Sequence, residues 1–449
     1  MLFDSVLLKI SIVLGGFYIF ALCLKNIKLF ILVYIALRSL IAVFYDVKIM
    51  GGLNILEFLG FFFPVILIFY WVKTEKFRFM ISKQAKIYSI VMFWILFSNL
   101  TSIIKYGFHG IYSFSNFFRI LNGYVVFMVF PLIFKDIKDV DRLINAFLIT
   151  TIFPLLQGFL QIAGGRNFLG MGTNITKGDQ ADFVMYYGLY YKYEWYAWAA
   201  LLGGLLLIYK IGKTSSFKRA PMGKEIFYII LFIFFITLGA VTLSRALFIS
   251  LFIISIFIFF NLKKNYKIAF LVLIGLFVTG GFFKGQLGQL LLRSDSEIKV
   301  MKGELPADYG FHGRISLWQR KLGDFNSQSL LNRFTGTKIG VGPHSDYFQW
   351  LFSYGYVGLF LYLYWVIVLF MGCISKIKRI DKATVYLPYG QMVTAGLIIW
   401  VIEAIIHNPS VYLDYLYMII GNTGIFMNLS AVNSKNIKRN TPLHEKPLL

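Results

Sequence analysis

Long apolar runs recur along this chain, and clusters of lysine and arginine separate them. A transmembrane helix uses about 20 apolar residues, so a dozen such helices use about 240 positions. Out of 449 residues, this leaves no room for a large soluble domain. Only 14% of the residues are charged, whereas soluble domains carry roughly 25%. The sequence therefore predicts an all-α polytopic integral membrane protein.

Thirteen apolar runs are candidates for crossing the membrane. They lie at 5–24, 29–44, 53–72, 88–104, 123–134, 143–163, 195–211, 226–243, 246–262, 268–283, 347–374, 388–406 and 412–430. Because the runs near residues 29 and 123 are short, we expect about 12–13 transmembrane helices.

The basic clusters predict the orientation of these helices, because lysine and arginine in short loops stay on the cytoplasmic side. The clusters begin at Lys73, Lys135, Lys210, Lys263, Lys376 and Lys435. Two apolar runs separate each cluster from the next, so all six can face the cytoplasm. The predicted organisation is ten helices with an outer loop at 164–194 within residues 1–283, one long outer loop at 284–346, three helices within 347–430, and a cytoplasmic tail at 431–449.

The net charge of +23 would suggest a nucleic-acid partner in a soluble protein. In a membrane protein the excess orients helices and contacts phosphates, so we expect no nucleic-acid partner. Asp139-Val140-Asp141 matches the Asp-x-Asp pattern with which many nucleotide-sugar transferases hold a cation. This tripeptide is common, and acidic residues also favour helix starts, which is the interpretation we prefer. No zinc-protease pattern and no phosphate-binding glycine loop occurs, so we predict neither metal nor cofactor.

Leu243-Ser244-Arg245 interrupts two strongly apolar runs at a predicted outer turn. An arginine at membrane depth is costly and normally has a partner. Its planar fork suits a phosphate or a carboxylate. A plain snorkelling arginine explains the pattern equally well.

Two further motifs lie in and after the long outer loop. The segment 311–318 places Ile315 and Trp318 on one helical face beside Arg314, which fits a short amphipathic helix that aims Arg314 at a lipid headgroup. At the mouth of the next run stands His344, a residue type that can accept a proton from a sugar hydroxyl or orient it. Gly355 and Gly358 follow, and they let a neighbouring helix or lipid chain approach closely. Taken alone, an interfacial helix and a capping histidine explain these motifs as well.

Two other groups of residues have weaker functional interpretations. Eight tyrosines and tryptophans between 186 and 198 form either an interfacial aromatic belt or a surface on which a sugar stacks. Glu403 and His407 lie four residues apart on one helix face, where they can bridge to each other or to a cation. A structural pair is the simpler interpretation.

Together, Leu-Ser-Arg, Gly-Arg with Trp four residues later, and His-Ser followed after nine residues by Gly-x-x-Gly occur in the order found in the bacterial O-antigen polymerase and O-antigen ligase superfamily. The chain resembles this superfamily over about residues 239–360 in its motifs, and its hydropathy and loop placement agree over most of the rest. Ser345 is within the pattern, although many members have asparagine there. We interpret the chain as most like an O-antigen polymerase.

The resemblance implies a GT-C-like membrane glycosyltransferase at the periplasmic face of the bacterial inner membrane, working without nucleotide sugar or metal. Its donor and acceptor would be undecaprenyl diphosphate-linked oligosaccharides in the membrane lipid, and a chain-length regulator is a further expected partner. By the same resemblance, Arg245 and Arg314 bind the diphosphate and His344 faces the acceptor hydroxyl as the catalytic set. Further candidates for binding the substrate or its diphosphate are Arg119, Arg166, Ser345 and Asp346.

Two alternative functions stay open on the sequence. The O-antigen ligase, which transfers lipid-linked glycan to lipid A-core, needs the same donor site, so the motifs do not separate it from the polymerase. A polysaccharide flippase or other transporter typically has charged residues that line a mid-membrane cavity. Here most of the notable charges gather at one face, and only Lys9, Arg38 and Glu57 lie within early helices.

Overall fold

The computed structural model describes residues 25–45, 48–50, 53–75, 82–106, 112–165, 172–176, 183–190, 194–216, 222–242, 244–279, 298–300, 302–306, 314–336, 345–380, 384–407, 409 and 412–437, with positions 15, 18, 21, 288 and 295. Helices dominate this part. Its strands form two short antiparallel hairpins, β1 (Lys48–Met50) with β2 (Leu53–Asn54) and β3 (Gly172–Thr176) with β4 (Phe183–Gly188).

The helices follow one another along the chain with few long connections among the described residues. They are α1 (Ile27–Ala42), α2 (Ile55–Glu75), α3 (Lys83–Tyr106), α4 (Tyr112–Ile133), α5 (Ile137–Gly164), α6 (Glu194–Ser216), α7 (Met222–Ala240), α8 (Arg245–Asn261), α9 (Lys264–Thr279), α10 (Arg314–Asn326), α11 (Leu330–Thr335), α12 (Asp346–Ile377), α13 (Tyr386–Ile406), α14 (Leu413–Tyr415) and α15 (Asn422–Ile437). A π-helical segment (Leu416–Gly421) joins α14 to α15.

Eight of the described helices are long and apolar enough to cross a membrane, and each coincides with a predicted run. They are α2 to α7, α12 and α13. The shorter apolar helix α8, together with α1, α9 and α14–α15, covers four more runs. The first run, 5–24, lies almost entirely outside the described residues. The prediction of a multi-pass helical membrane protein is confirmed for this part of the chain, and the count of 12–13 crossings stays a prediction.

Ion pairs bring the clusters that begin at Lys135, Lys210 and Lys263 together at one end of the helix bundle, which we call the basic end. The pairs between helices there include Lys28–Asp139, Lys213–Asp141 and Lys263–Glu225. Asp139 and Asp141 belong to the first turns of α5, where the side chain of Asp136 caps the helix by accepting from the Asp139 amide at 2.8 Å. Asp139-Val140-Asp141 is therefore a helix start, as we preferred. The opposite end of the bundle is called the far end.

The bundle has close contacts between helices in its interior and apolar side chains on its outer surface. A Cβ at Gly424 would lie 2.5 Å from the backbone carbonyl oxygen of Phe127. The backbones of α15 and α4 therefore approach each other closely at this glycine. Small residues that permit such approach are typical of helix interfaces in lipid. Large apolar side chains such as Phe69, Phe93 and Ile104 remain exposed, as expected for a surface that faces lipid.

Helix α12 is broken at Gly355, where φ is 70° and ψ is −171°. Near the break, the indole Nε1 of Trp94 donates to the carbonyl oxygen of Tyr354 at 3.0 Å. The Ser98 hydroxyl donates to the carbonyl of Thr335, the last residue of α11, at 2.7 Å. Irregular backbone at membrane depth is tolerated only where protein satisfies it. Side chains of α3 therefore stabilise the junction between α11 and the break in α12.

Candidate functional site

Three hydrogen bonds bring the starts of α8 and α12 to the end of α13 at the far end of the bundle. The Ser345 hydroxyl donates to the carbonyl oxygen of Ala404 at 3.1 Å, and the backbone amide of Asp346 donates to the carbonyl oxygen of His407 at 3.0 Å. The Ser250 hydroxyl donates to Oε1 of Glu403 at 3.0 Å. Segments that are far apart in the sequence therefore form one cluster.

Ser244 and Arg245 of the Leu-Ser-Arg motif form the start of α8. Ser244 is the N-cap residue with extended backbone, and Arg245 is the first residue of the helix. Ser244 also lines a small cavity together with Glu403 and His407. The backbone of Arg245 therefore lies next to this cavity, and Leu243 lies outside the described residues.

The predicted amphipathic helix is confirmed as α10, which begins at Arg314. Its Trp318 ring lies 5.2 Å from the ring of Phe348, centroid to centroid, and Phe325 is buried 5.6 Å from Phe352. The helix therefore packs on the first turns of α12. Arg314, half-buried and one turn before Trp318, stands on the same side of the bundle as the start of α12.

Ser345 and Asp346 are both buried, at 2% and 0% exposure. A carboxylate oxygen of Asp346 accepts from the Tyr362 hydroxyl at 3.1 Å, and Tyr362 in turn accepts from the indole of Trp400 at 2.8 Å. In this conformation both residues hold the start of α12 against α13, and their predicted contact with substrate stays a prediction. His344, the residue before them, lies outside the described residues.

The small cavity at the centre of this cluster has room for about one water molecule. Its wall includes the aromatic rings of Trp198 and Tyr415, which meet edge to face at 3.7 Å between centroids. On the polar side, Nδ1 of His407 lies 2.6 Å from Oε2 of Glu403. The predicted Glu403–His407 pair is therefore formed, and it faces a cavity.

The aromatic segment before α6 is built partly into the bundle. Tyr190 is buried against the rings of Trp195 and Tyr196, with centroid distances of 5.3 and 6.1 Å. Burial raises the pKa of Tyr190 well above the ordinary tyrosine value, so its phenol stays neutral. Together with Trp198, these rings contribute to the core and to the cavity wall. These four rings therefore pack within the bundle, and the interfacial belt and the sugar-stacking surface stay predictions for the segment.

The two remaining predicted residues are not joined to this cluster by the described contacts. Arg119 is exposed on α4, whose neighbour Phe118 packs against Phe61 of α2 at 5.0 Å. Arg166 lies outside the described residues. Both stay predictions.

A buried ion pair near the cavity belongs to none of the sequence motifs. Arg38 of α1 is 6% exposed, pairs with Asp414 and donates to the Tyr34 hydroxyl at 2.7 Å. Its guanidinium also faces the ring of Tyr417 at 5.4 Å. Asp414 directly precedes the cavity residue Tyr415. The available signal was a lone arginine in an apolar run, which requires a partner, but the sequence does not show which acidic residue supplies it.

No protein-family model and no curated protein matches the chain. Within the part of the chain that the structure describes, no three His, Cys, Asp or Glu residues lie close enough to hold a metal ion. The fold defines a multi-pass helical membrane protein with a polar cluster at the end of the bundle opposite its basic clusters. The resemblance to the O-antigen polymerase and ligase superfamily rests on the motif residues alone.

Proposed function

We propose that the protein is an O-antigen polymerase that joins undecaprenyl diphosphate-linked repeat units into polysaccharide at the periplasmic face of the inner membrane. The observation that supports this most is the convergence of the motif segments. The start of α8, the start of α12 and the amphipathic helix α10 lie around one end of the bundle. Arg245 and Arg314 belong to two of these segments, and His344 directly precedes the third in the sequence.

Such a site suits transfer from a lipid diphosphate. The leaving group is a diphosphate, so the enzyme mainly needs cations placed where negative charge grows. Hydrogen bonds to such a charged group contribute roughly 1.5 to 3 kcal/mol each. In this proposal Arg245 and Arg314 bind the diphosphate, and His344 faces the acceptor hydroxyl. The sugar is inverted by direct attack, without a covalent intermediate and without a metal.

The test is to incubate the purified protein with lipid-diphosphate repeat units in the presence of a chelator, with and without lipid A-core, and to resolve the products by gel. A ladder of lipid-linked oligomers without lipid A-core is expected. Transfer only when lipid A-core is present would identify the ligase. Absence of product in both conditions would contradict glycosyl transfer and favour a transporter.

Arg314 allows a matched comparison within one helix. Arg314→Ala should lower the rate of chain formation about tenfold or more, because one hydrogen-bonded charge at the diphosphate is lost. Arg320→Ala, at an exposed position of α10, is the control and should keep the rate. The measurement is the rate of ladder formation at equal protein amounts in the membrane. Equal rates for the two variants would remove Arg314 from the site.

A further inference from the structure

The Glu403 carboxylate is held at both of its oxygens. Oε2 lies 2.6 Å from Nδ1 of His407, and Oε1 accepts from the Ser250 hydroxyl at 3.0 Å. The side chain of Glu403 is 5% exposed and that of His407 is 13% exposed. A nearly buried carboxylate of α13 is thus fixed between its own helix and α8.

The backbone of His407 is fixed as well. Its amide donates to the carbonyl oxygen of Glu403 at 2.6 Å, and its carbonyl accepts from the Asp346 amide at 3.0 Å. The first bond ends α13, and the second ties this end to the start of α12. The imidazole is therefore held by its backbone and by Nδ1, which leaves little freedom to the ring.

This arrangement determines which ring nitrogen can take up a proton. A carboxylate at Nδ1 accepts the Nδ1 hydrogen of a neutral imidazole, so the lone pair resides on Nε2. The carboxylate also stabilises the imidazolium that forms once Nε2 is protonated. Beside the ring is the cavity, which has room for about one water molecule, a size that also matches one hydroxyl group. General base catalysis requires a base within hydrogen-bond reach of the hydroxyl proton, and a hydroxyl group in this cavity would lie beside His407.

We infer that His407 is the general base of the glycosyl transfer and that Glu403 and Ser250 are its positioning residues. This inference rests on the proposed function and deepens it. The acceptor hydroxyl gives its proton to Nε2 of His407 while its oxygen bonds to the anomeric carbon of the donor sugar. The bond from that carbon to the diphosphate oxygen breaks, and the electron pair stays on the diphosphate. The imidazolium then releases its proton to water. His344 orients the acceptor in this scheme.

A glutamine at position 407 separates this role from a purely structural one. The amide of His407→Gln can still donate to Glu403, but it has no basic nitrogen. We expect its rate of ladder formation to fall about 10²- to 10⁴-fold, the usual contribution of a general base. Adding imidazole to His407→Ala should restore part of the lost rate, because the free base enters the space that the ring has left. A structural pair predicts near wild-type rates for His407→Gln and no effect of imidazole.

The positioning residues are tested by isosteric and matched variants. Glu403→Gln keeps an acceptor for Nδ1 but removes the charge, so kcat should fall while KM stays. Ser250→Ala should lower kcat by a smaller factor. Ser255→Ala on the same helix is the control, because the Ser255 hydroxyl donates only to its own helix, to Leu251, among the bonds described. Ser255→Ala should keep the wild-type rate.

The same assay distinguishes failure of this inference from failure of the proposed function. If the wild-type protein builds the ladder and folded His407→Gln builds it at a similar rate, His407 is not the base and the inference is overturned. If the wild-type protein yields no transfer product, the proposed function fails and the inference falls with it. Thermal unfolding of each purified variant shows which are folded, and Glu403→Gln provides the test where His407→Gln does not fold.

Discussion

Gly355→Ala tests the most unusual feature of the backbone, the break in α12. With φ at 70° and ψ at −171°, Gly355 occupies a region that is essentially restricted to glycine. A Cβ there would also lie 2.2 Å from the carbonyl oxygen of Phe334 and 2.6 Å from that of Arg333. The substitution therefore strains the backbone and collides with α11 at once.

The expected loss of stability follows from these contacts. A residue with a side chain in this backbone region costs about 1–3 kcal/mol. Relieving the collision requires α11 to move by about 1 Å, because a carbon and an oxygen normally approach no closer than about 3.3 Å. That movement weakens the Ser98–Thr335 bond of 2.7 Å, and a hydrogen bond of this kind contributes about 0.5–1.5 kcal/mol. Together, Gly355→Ala should lower the free energy of unfolding by about 2 to 4 kcal/mol.

The assay is thermal unfolding of the purified protein in detergent. Gly323→Ala is the matched control, because Gly323 lies inside α10 and a Cβ there meets nothing within 4 Å. Alanine is favoured over glycine in a helix interior by roughly 0.5–1 kcal/mol, so this variant should unfold at the same temperature or higher. Unchanged unfolding of Gly355→Ala would show that the break and the close approach of α11 are not features of the folded protein.

Two further predictions concern buried polar contacts. Arg38→Met should destabilise the protein by about 3 kcal/mol, because removing one partner leaves the charge of Asp414 without its pair. A double-mutant cycle with Asp414→Asn should show a favourable coupling energy between the two residues. Simple additivity of the two effects would refute the pairing. Ser98→Ala should cost about 1–3 kcal/mol, since it leaves the carbonyl of Thr335 without its donor. Thr101→Ala, whose hydroxyl bonds only within α3 among the bonds described, should have no such effect, and equal unfolding temperatures for Ser98→Ala and Thr101→Ala would contradict the role of Ser98.

The crossing helices could be predicted from the sequence because each depends on a local property, a continuous apolar run. Eight runs became long helices at nearly the predicted positions. The meeting of the clusters that begin at Lys135, Lys210 and Lys263 at one end of the bundle was also predictable, because two apolar runs separate each cluster from the next. For α10, the spacing of Arg314, Ile315 and Trp318 was sufficient to predict the helix. In each case the prediction depends only on residues that lie close together in the sequence.

Contacts between distant segments could not be predicted in this way. Arg38 and Asp414 are 376 residues apart, and several acidic residues were equally plausible partners for a lone arginine. Glu403 and His407 were recognisable as neighbours on one helix face. Their link to Ser250 and to the start of α12 depends on how α8 and α13 cross, which hydropathy does not reveal. The candidate site was therefore predictable in its residue types and only partly in its assembly.

The nine residues between Ser345 and Gly355 have a physical meaning in this fold. They form the first segment of α12, and nine residues of helix rise about 13.5 Å, so the spacing sets the depth at which the helix breaks below its start. Ser98, which bonds to α11 at the break, lies eight residues before the end of α3 at Tyr106, and eight residues rise about 12 Å. Similar lengths of helix therefore separate this junction from the end of α3 and from the start of α12. Inserting one residue between Asp346 and Gly355 would rotate the glycine by about 100° around the helix axis and turn it away from α11. In this chain the nine-residue spacing thus positions α11 relative to the start of α12, where we propose that the glycan is transferred.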